Sequence, residues 1–412
     1  MRGREVNFLG DSLPAGSNLA PMQNLKTILV LASQFKGAPL IEEFHRLGCK
    51  VLLLCAEKTR CEAWPTHAIT QQFYMPKLNV FPDILNAVSH LARSYDIDRI
   101  IGVDDFDVEV AARLREHLRT PGMGDTTARY FRDKLAMRVL ASDEGLAVPE
   151  FVHLLNDNKV NHYLSTVPGP WVLKPRSEAG AVGIKKIHSA EELWRYSEEL
   201  GDQRSHYLLE RFLPGEVFHV DSIVFGGKVV FARASQYRVP PFSVWNEGGV
   251  FSTFSLPEDD PLAREMVKFN ARLVKSMHLA RGITHTEFIR AEVDGKLYFL
   301  EMAARVGGAH LDLHVEACSG INLWREWAHL ELAYLLGKPY RCPKPKLDHS
   351  TLLICLAREE NPDLSGFDAP EVVCRMKRAF HAGLVLSSPD PERIEELERV
   401  YRERLQKEFL KA

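Results

Sequence analysis

The sequence predicts an α/β protein in which a parallel, Rossmann-like sheet leads into a mixed α+β region and then a small C-terminal module. Three observations carry that expectation. Short apolar runs alternate with helical stretches over residues 25–120, the pattern of parallel strands joined by crossover helices. From Val217 onward, alternating runs punctuated by Gly226-Gly227 suit an antiparallel sheet. After Pro339, the run Arg341-Cys342-Pro343-Lys344-Pro345 reads as a linker into a terminal module over 341–412.

Residues 1–24 carry Gly, Pro, Ser and Asn without an apolar run of signal-peptide length, and read as a flexible tail. In the leading domain a buried strand is expected at 27–32, then a helix through Leu47, a strand at 50–55, a helix at 82–95, a strand at 98–103 and a helix at 109–118. Its first turn, SQFKG, lacks the GxGxxG that brings backbone against a dinucleotide, which sets the NAD reading aside. Pro121-Gly122 opens a helical stretch, and Phe131-Arg132-Asp133-Lys134 leads into a helix that Gly145 ends before Pro149. Strands are expected at 171–175, 184–188 and 207–210. The last helix has Asp390 as cap and Pro391 at its first position, and Ile394, Leu397, Val400, Tyr401, Leu405 and Phe409 recur at helical spacing. Packing of that stripe onto its own chain is the favoured reading, with a homodimer as the alternative.

Composition narrows the class. At 412 residues, 45% hydrophobic and 26% charged, the chain is an ordinary globular protein of two to four domains or lobes. A formal charge of -3 without a basic stripe argues against nucleic acid, and no run reaches membrane-spanning length. Seven cysteines with no CxxC pair read as reduced thiols of a cytoplasmic protein, without a zinc site. Met376-Lys377 faintly resembles a biotin-accepting turn, but no second methionine follows and Lys377 reads as a surface residue.

Two segments carry chemistry. In HTEFIRAEVDGKLYFLEMAARVGG, residues 285–308, Glu287 and Glu301 sit on two strand-like runs that flank a turn, with Arg305 four residues further on. Paired carboxylates make a hard-oxygen site for Mg²⁺ or Mn²⁺, provided that strand parity puts them on one face. A two-residue Asp294-Gly295 turn would put them on opposite faces, so an odd-length loop such as Val293-Asp294-Gly295 is expected. Alone, the segment reads equally well as a hairpin with exposed acids. The second segment is a strand ending in Lys174-Pro175 followed by SEAGAVG, 177–183, where small residues let backbone amides approach phosphate. It is not a Walker A loop, and by itself a hairpin turn is the simpler reading.

The order of the pieces changes the balance. Phe131-Arg132-Asp133-Lys134 with GLAVPEF, then WVLKPRSEAGAVGI, YLLERFLPGEVFHVD, TEFIR and LEMAARVGG resemble the ATP-grasp superfamily over about residues 26–340, and within it carboxylate-amine ligases of the L-amino-acid ligase type. The resemblance implies an ATP-grasp fold, with a Rossmann-like domain over 25–120, a small lobe over 121–205 and a large lobe over 206–340. It implies ATP with Mg²⁺ or Mn²⁺, small-molecule carboxylate and amine substrates, and an acyl-phosphate intermediate. Residue by residue, it makes Lys134 and Lys174 the phosphate lysines, and Glu178, Ala179, Gly180 and Gly183 part of the phosphate lid. Glu210, Arg211, Phe212 and Leu213 become the inter-lobe hinge that reads adenine, Glu287 and Glu301 the metal carboxylates, and Arg305 the cation steadying acyl phosphate and oxyanion. Two positions depart from the pattern. Val217 stands where relatives carry an acidic ribose ligand, leaving Glu216 or His219 to serve, and Ala303 stands where many have a metal-binding Asn. Substrate selection is expected within 233–254 and at Gly307-Gly308, with Arg233, Tyr237 and Trp245 as candidates. The alternatives are an ATP-grasp enzyme that uses bicarbonate and an ATP-binding protein without ligase chemistry.

Overall fold

The computed structural model describes residues 26–180, 182–242, 244 and 248–410. The expected tail at 1–24, Ala181 of the lid and Trp245 fall outside them. The leading domain is a four-stranded parallel sheet in the order β3-β2-β1-β4, with β1 at Thr27–Ala32, β2 at Lys50–Ala56, β3 at Gln71–Met75 and β4 at Arg99–Gly102. Every residue of β1 is buried because both of its faces are covered. Leu29 and Leu31 pack with Ile84, Val88 and Leu114 on one side. Ile28, Val30 and Ala32 pack on the other side with Trp324, Trp327 and Leu330 from far along the chain. Strand β3 lies where a loop was expected; it is an edge strand opening on Gln71-Gln72 and burying none of its residues fully, so no apolar run marks it.

The small lobe is an antiparallel sheet in the order β5-β8-β6-β7, formed by Phe151–His153, Tyr207–Arg211, Trp171–Pro175 and Lys185–Ile187. Helices Asp157–Thr166 and Ala190–Leu200 cover it through Val160, Tyr163 and Leu193. Strand β8 pairs with β5 and β6, so the chain leaves this lobe after Arg211, later than the expected boundary at 205.

The large lobe is built on an eight-stranded sheet, β13-β12-β9-β10-β11-β14-β16-β15. Its centre comprises β9 (Gly215–Phe225), β10 (Lys228–Tyr237), β11 (Phe251–Ser255), β12 (Arg281–Ala291) and β13 (Leu297–Ala303). Along β9 the even positions Phe218, Val220 and Val224 pack with Met266, Leu273 and Val274 of helix Pro261–Ser276. Period-two alternation therefore turns Val217, His219 and Asp221 to the opposite face. The stretch after 341, expected as a small module, contributes β14 (His349–Leu356), β15 (Val372–Arg375) and β16 (His381–Ser388) to this same sheet. Helix Pro391–Glu408 is capped by Asp390, which accepts from Glu392 N and Arg393 N, and buries Ile394, Leu397, Tyr401 and Leu405 against the chain's own strands.

Candidate active site

The β12–β13 hairpin places Glu287 directly opposite Glu301, as metal binding requires. The device differs from the expected one. The loop spans residues 292–295 and is closed by Ala291 N–H donating to Lys296 O, so its length is even, with Gly295 left-handed at φ 69°. The register shifts instead at a β-bulge between Glu287 and Phe288, where Leu300 is the extra residue on β13. Parity is thus corrected inside the strand, at the position next to the facing acids.

The two carboxylates have different partners. Lys134 Nζ lies 2.8 Å from Glu301 Oε2 and donates at 2.7 Å to Glu178 O in the lid. Burial disfavours charge on Glu301, but Lys134 and Lys174 hold its carboxyl below the ordinary range. On Glu287, Tyr237 Oη donates to Oε1 at 3.1 Å and His285 Nε2 lies 3.5 Å away. Behind it, Asp221 bridges His285 Nδ1 at 2.9 Å and His219 Nδ1 at 2.8 Å, and His219 Nε2 meets Thr253 Oγ1 at 2.8 Å. Burial opposes charge on His285, yet Asp221 and Glu287 push its pKa up to about 10.

The donors suit a hard divalent cation. Glu287 and Glu301 share one sheet face with side chains 19% and 33% exposed, and Glu301's partner is a lysine that a phosphate would draw away. The ligand atoms of His219, Asp221 and His285 also cluster, within 4.8 Å of one another. Hydrogen bonds already occupy both nitrogens of His219 and both oxygens of Asp221, so this group reads as scaffolding for Glu287.

In the small lobe, Lys174 is buried and paired with Glu210, which also accepts from Arg138 Nε at 3.0 Å. Burial lowers the Lys174 pKa; Glu210 is held below its ordinary value despite burial, by Arg138 and Lys174. The carboxylate of Glu210, expected to accept from an adenine amine, is therefore directed at two cations inside the lobe. Leu213, Val217, Ile289 and Leu300 form one apolar cluster at the lobe junction. Arg211 contacts Glu150, Phe212 N–H donates to Pro170 O, and Lys186 Nζ lies 3.9 Å over the Phe212 ring. In the 178–183 loop, Gly180 and Gly183 are left-handed at φ 67° and 72°.

Several expected substrate or ribose residues stand elsewhere. His219 is fully buried with both ring nitrogens occupied and cannot meet a ribose; Glu216 is exposed and accepts from Gln236 Nε2 at 2.8 Å. Arg233 is buried and spent on Cys318 Sγ, Asp348 O and Glu258. Tyr237 donates to Glu287 and packs with Leu213, Val217 and Ile289. Gly307 is required by packing, since a Cβ would lie 2.9 Å from Asp221 Oδ1 and 3.1 Å from His285 Nδ1. Gly308 has open space around its α-carbon, and Ala309 and His310 follow in left-handed backbone at φ 49° and 61°. Ala303 is buried opposite His285 and offers no oxygen ligand.

The leading domain supplies what the motifs did not show. Arg305 donates to Asp105 Oδ2 through Nε at 2.7 Å, and Arg132 Nη1 lies 3.6 Å from Oδ1. Burial favours the neutral acid, but Arg305, Arg132 and Lys36 bring the Asp105 pKa down to about 2. Lys36 pairs with Asp104. These residues follow β1 and β4, whose C-terminal ends form the switch point of the parallel sheet, where ligands bind in such folds. The run Asp104-Asp105-Phe106-Asp107 at that strand end was the available signal.

The architecture is the ATP-grasp fold, a leading parallel sheet followed by two lobes joined at 212–214, with paired carboxylates beside Lys134. The solved L-amino acid ligase from Bacillus licheniformis superposes with a TM-score of 0.72 over 94% of this chain and 99% of that one, at 20% identity. N5-carboxyaminoimidazole synthetase from Staphylococcus aureus in complex with ADP gives 0.70 over 93% and 98%, at 15% identity. In sequence, the chain is 27% identical over 233 residues to the L-arginine-specific L-amino acid ligase of Bacillus subtilis, covering 55% of this chain and 56% of that protein. It is 25% identical over 191 residues to D-alanine–D-alanine ligase of Neisseria gonorrhoeae, covering 44% and 60%. The matches thus span about six-tenths of these relatives' length, and no family model matches the chain.

Proposed function

We propose that this protein is an ATP-dependent ligase that joins a small carboxylate, of the amino-acid class, to an amine through an acyl phosphate, releasing ADP and phosphate. The observation that carries this reading is the direct pairing of Glu287 with Glu301 beside Lys134, with Arg305 immediately beyond the hairpin. A carboxylate is a poor acyl donor, and phosphoryl transfer onto it creates the leaving group. Glu287 and Glu301 would hold Mg²⁺ or Mn²⁺, which neutralises phosphate charge when bound. With Ala303 in place of an oxygen donor, a second ion would rest more on nucleotide and water.

The chain's own residues have separable tasks. Lys134 and Lys174 hold the ATP phosphates, and engagement of Lys134 by phosphate releases Glu301 from its ion pair. The 178–183 lid, tied to Lys134 through Glu178 O, covers the phosphates and excludes water that would hydrolyse the acyl phosphate. Arg305, fixed by Asp105, neutralises the tetrahedral oxyanion as the amine displaces phosphate. Leu213, Ile289 and Leu300 sandwich the adenine.

Purified protein with Mg²⁺ and ATP is expected to release phosphate only when an acid and an amine are both present, in a screen of amino acids and dipeptides. Release that no acid–amine pair stimulates would sink the ligase reading. Glu301→Ala is expected to abolish turnover while retaining the native circular dichroism spectrum. Full activity in that variant would remove the metal assignment.

A further inference from the structure

We propose a second anion site, independent of the ligase reading, in the cavity between the leading domain and the large lobe, where Arg99, Arg115 and Arg281 surround a space suited to a small tetrahedral dianion such as inorganic phosphate. The cavity measures about 290 Å³ and is lined by Arg99 from β4, Arg115 from helix Asp105–Leu118, the 122–124 turn, Arg281 at the start of β12, and Glu331. These segments are far apart in sequence. The fold brings three guanidinium groups to one place.

Arg99, Arg115 and Glu331 are 4%, 7% and 2% exposed, and the Arg281 side chain is 7% exposed. Among the described residues, three buried cations face a single buried carboxylate, a formal excess of two positive charges. Glu116, the other carboxylate acting on Arg115, is exposed and accepts from Asp125 N at 3.0 Å. Buried charge without a partner is costly, and a dianion would cancel this excess.

Glu331 is saturated: Oε1 accepts from Arg99 Nη2 at 2.7 Å and Trp327 Nε1 at 3.4 Å, and Oε2 from Arg281 Nε at 3.0 Å. Arg115 gives Nε to Met123 O and Nη1 to Ile100 O, both at 2.9 Å, which leaves Nη2. Arg281 Nη2 is buried with no hydrogen-bond partner, its guanidinium stacked 3.4 Å over Tyr334. Burial, with Arg99 and Arg281 nearby, brings the Arg115 pKa down to about 9, a mark of crowded like charge. Gly122 completes the cradle, since a Cβ there would lie 2.4 Å from Arg99 Nη1 and 2.6 Å from Arg115 Cδ.

The position suggests what occupancy does. Gly102 and Ala304 also line the cavity, and each adjoins the strand end that leads to Asp105 or Arg305. A dianion there joins the two domains that carry the Asp105–Arg305 pair.

The test uses the full chain saturated with Mg²⁺ and ADP, titrated with inorganic phosphate by calorimetry, alongside Arg281→Met and a crystal soaked in tungstate. Expected are phosphate binding to the wild type, at least about tenfold weaker binding in Arg281→Met, as fits loss of one charge-assisted contact, and an anomalous peak between Arg115 and Arg281. Equal binding in both proteins, or tungstate seen only beside Lys134 and Lys174, would overturn the proposal. Should Arg281→Met fail to fold, the tungstate map of the wild type decides alone.

Discussion

Asp107 shows how far a single residue can be read once its surroundings are known. It is fully buried, and its carboxylate accepts from Ser33 N at 3.0 Å and from Ser33 Oγ. Burial, with Asp104 adding like charge, pushes its pKa up to about 7. An unfolded aspartate releases its proton near pH 4, whereas the folded protein keeps this one until about pH 7. Between those values the native state binds more protons than the unfolded chain, so this residue's contribution to stability falls as pH rises. Asp107→Asn is expected to flatten the fall in melting temperature from pH 5 to pH 8 and to be most stabilising above pH 7; parallel wild-type and variant curves would contradict this. Nothing in the string Asp104-Asp105-Phe106-Asp107 separates the neutral acid from the ion-paired one. The difference comes from the burial of Asp107 beside Asp104 and from the Arg305 and Arg132 cations at Asp105, which only the fold delivers. Arg233 and His219 show the converse, since residue types suited to a ligand were consumed by internal partners.

At the scale of the element, the strands of the site were legible and its corrections were not. Parity required Glu287 and Glu301 to meet, and they do, but a bulge at Leu300 achieves it while the loop stays even. A bulge has no signature in composition, whereas Asp-Gly has a strong one, so the sequence points to the turn. The helix Lys134–Asp143, expected after Phe131-Arg132-Asp133-Lys134, is capped by Asp133, which accepts from Leu135 N at 3.0 Å and Ala136 N at 3.3 Å. The same carboxylate takes Arg176 Nε at 2.9 Å, tying the helix start to the end of β6. Asp133→Ala is expected to cost about 1–2 kcal/mol in chemical denaturation. Because Lys134 is the first helical residue, the variant should also weaken nucleotide binding measured by calorimetry. Unchanged binding with reduced stability would mean that Lys134 is positioned from Glu178 and Glu301 alone.

Across the whole molecule, the order of motifs disclosed the fold, while the joints between domains stayed hidden. The leading domain looked separable in sequence, with its own strands and helices and a turn at Pro121-Gly122. In space it shares a core with helix Leu323–Leu335 and is pinned to the large lobe by two charged joints, Asp105 to Arg305 and Arg99 through Glu331 to Arg281. Each joint links residues roughly two hundred positions apart, a relation no local pattern encodes. Glu331 is where the second joint can be cut. Glu331→Gln keeps the shape and removes the only buried carboxylate among the described residues of that cluster, leaving Arg99 and Arg281 uncompensated. Breaking a buried ion pair on one side costs about 3–5 kcal/mol, so the melting temperature should fall and the leading domain should unfold in a separate, earlier transition. Phosphate is expected to recover part of that loss, because a dianion in the neighbouring cavity restores the missing charge. If the transition stays single and its midpoint unmoved, the two domains are joined by the shared apolar core and not by charge.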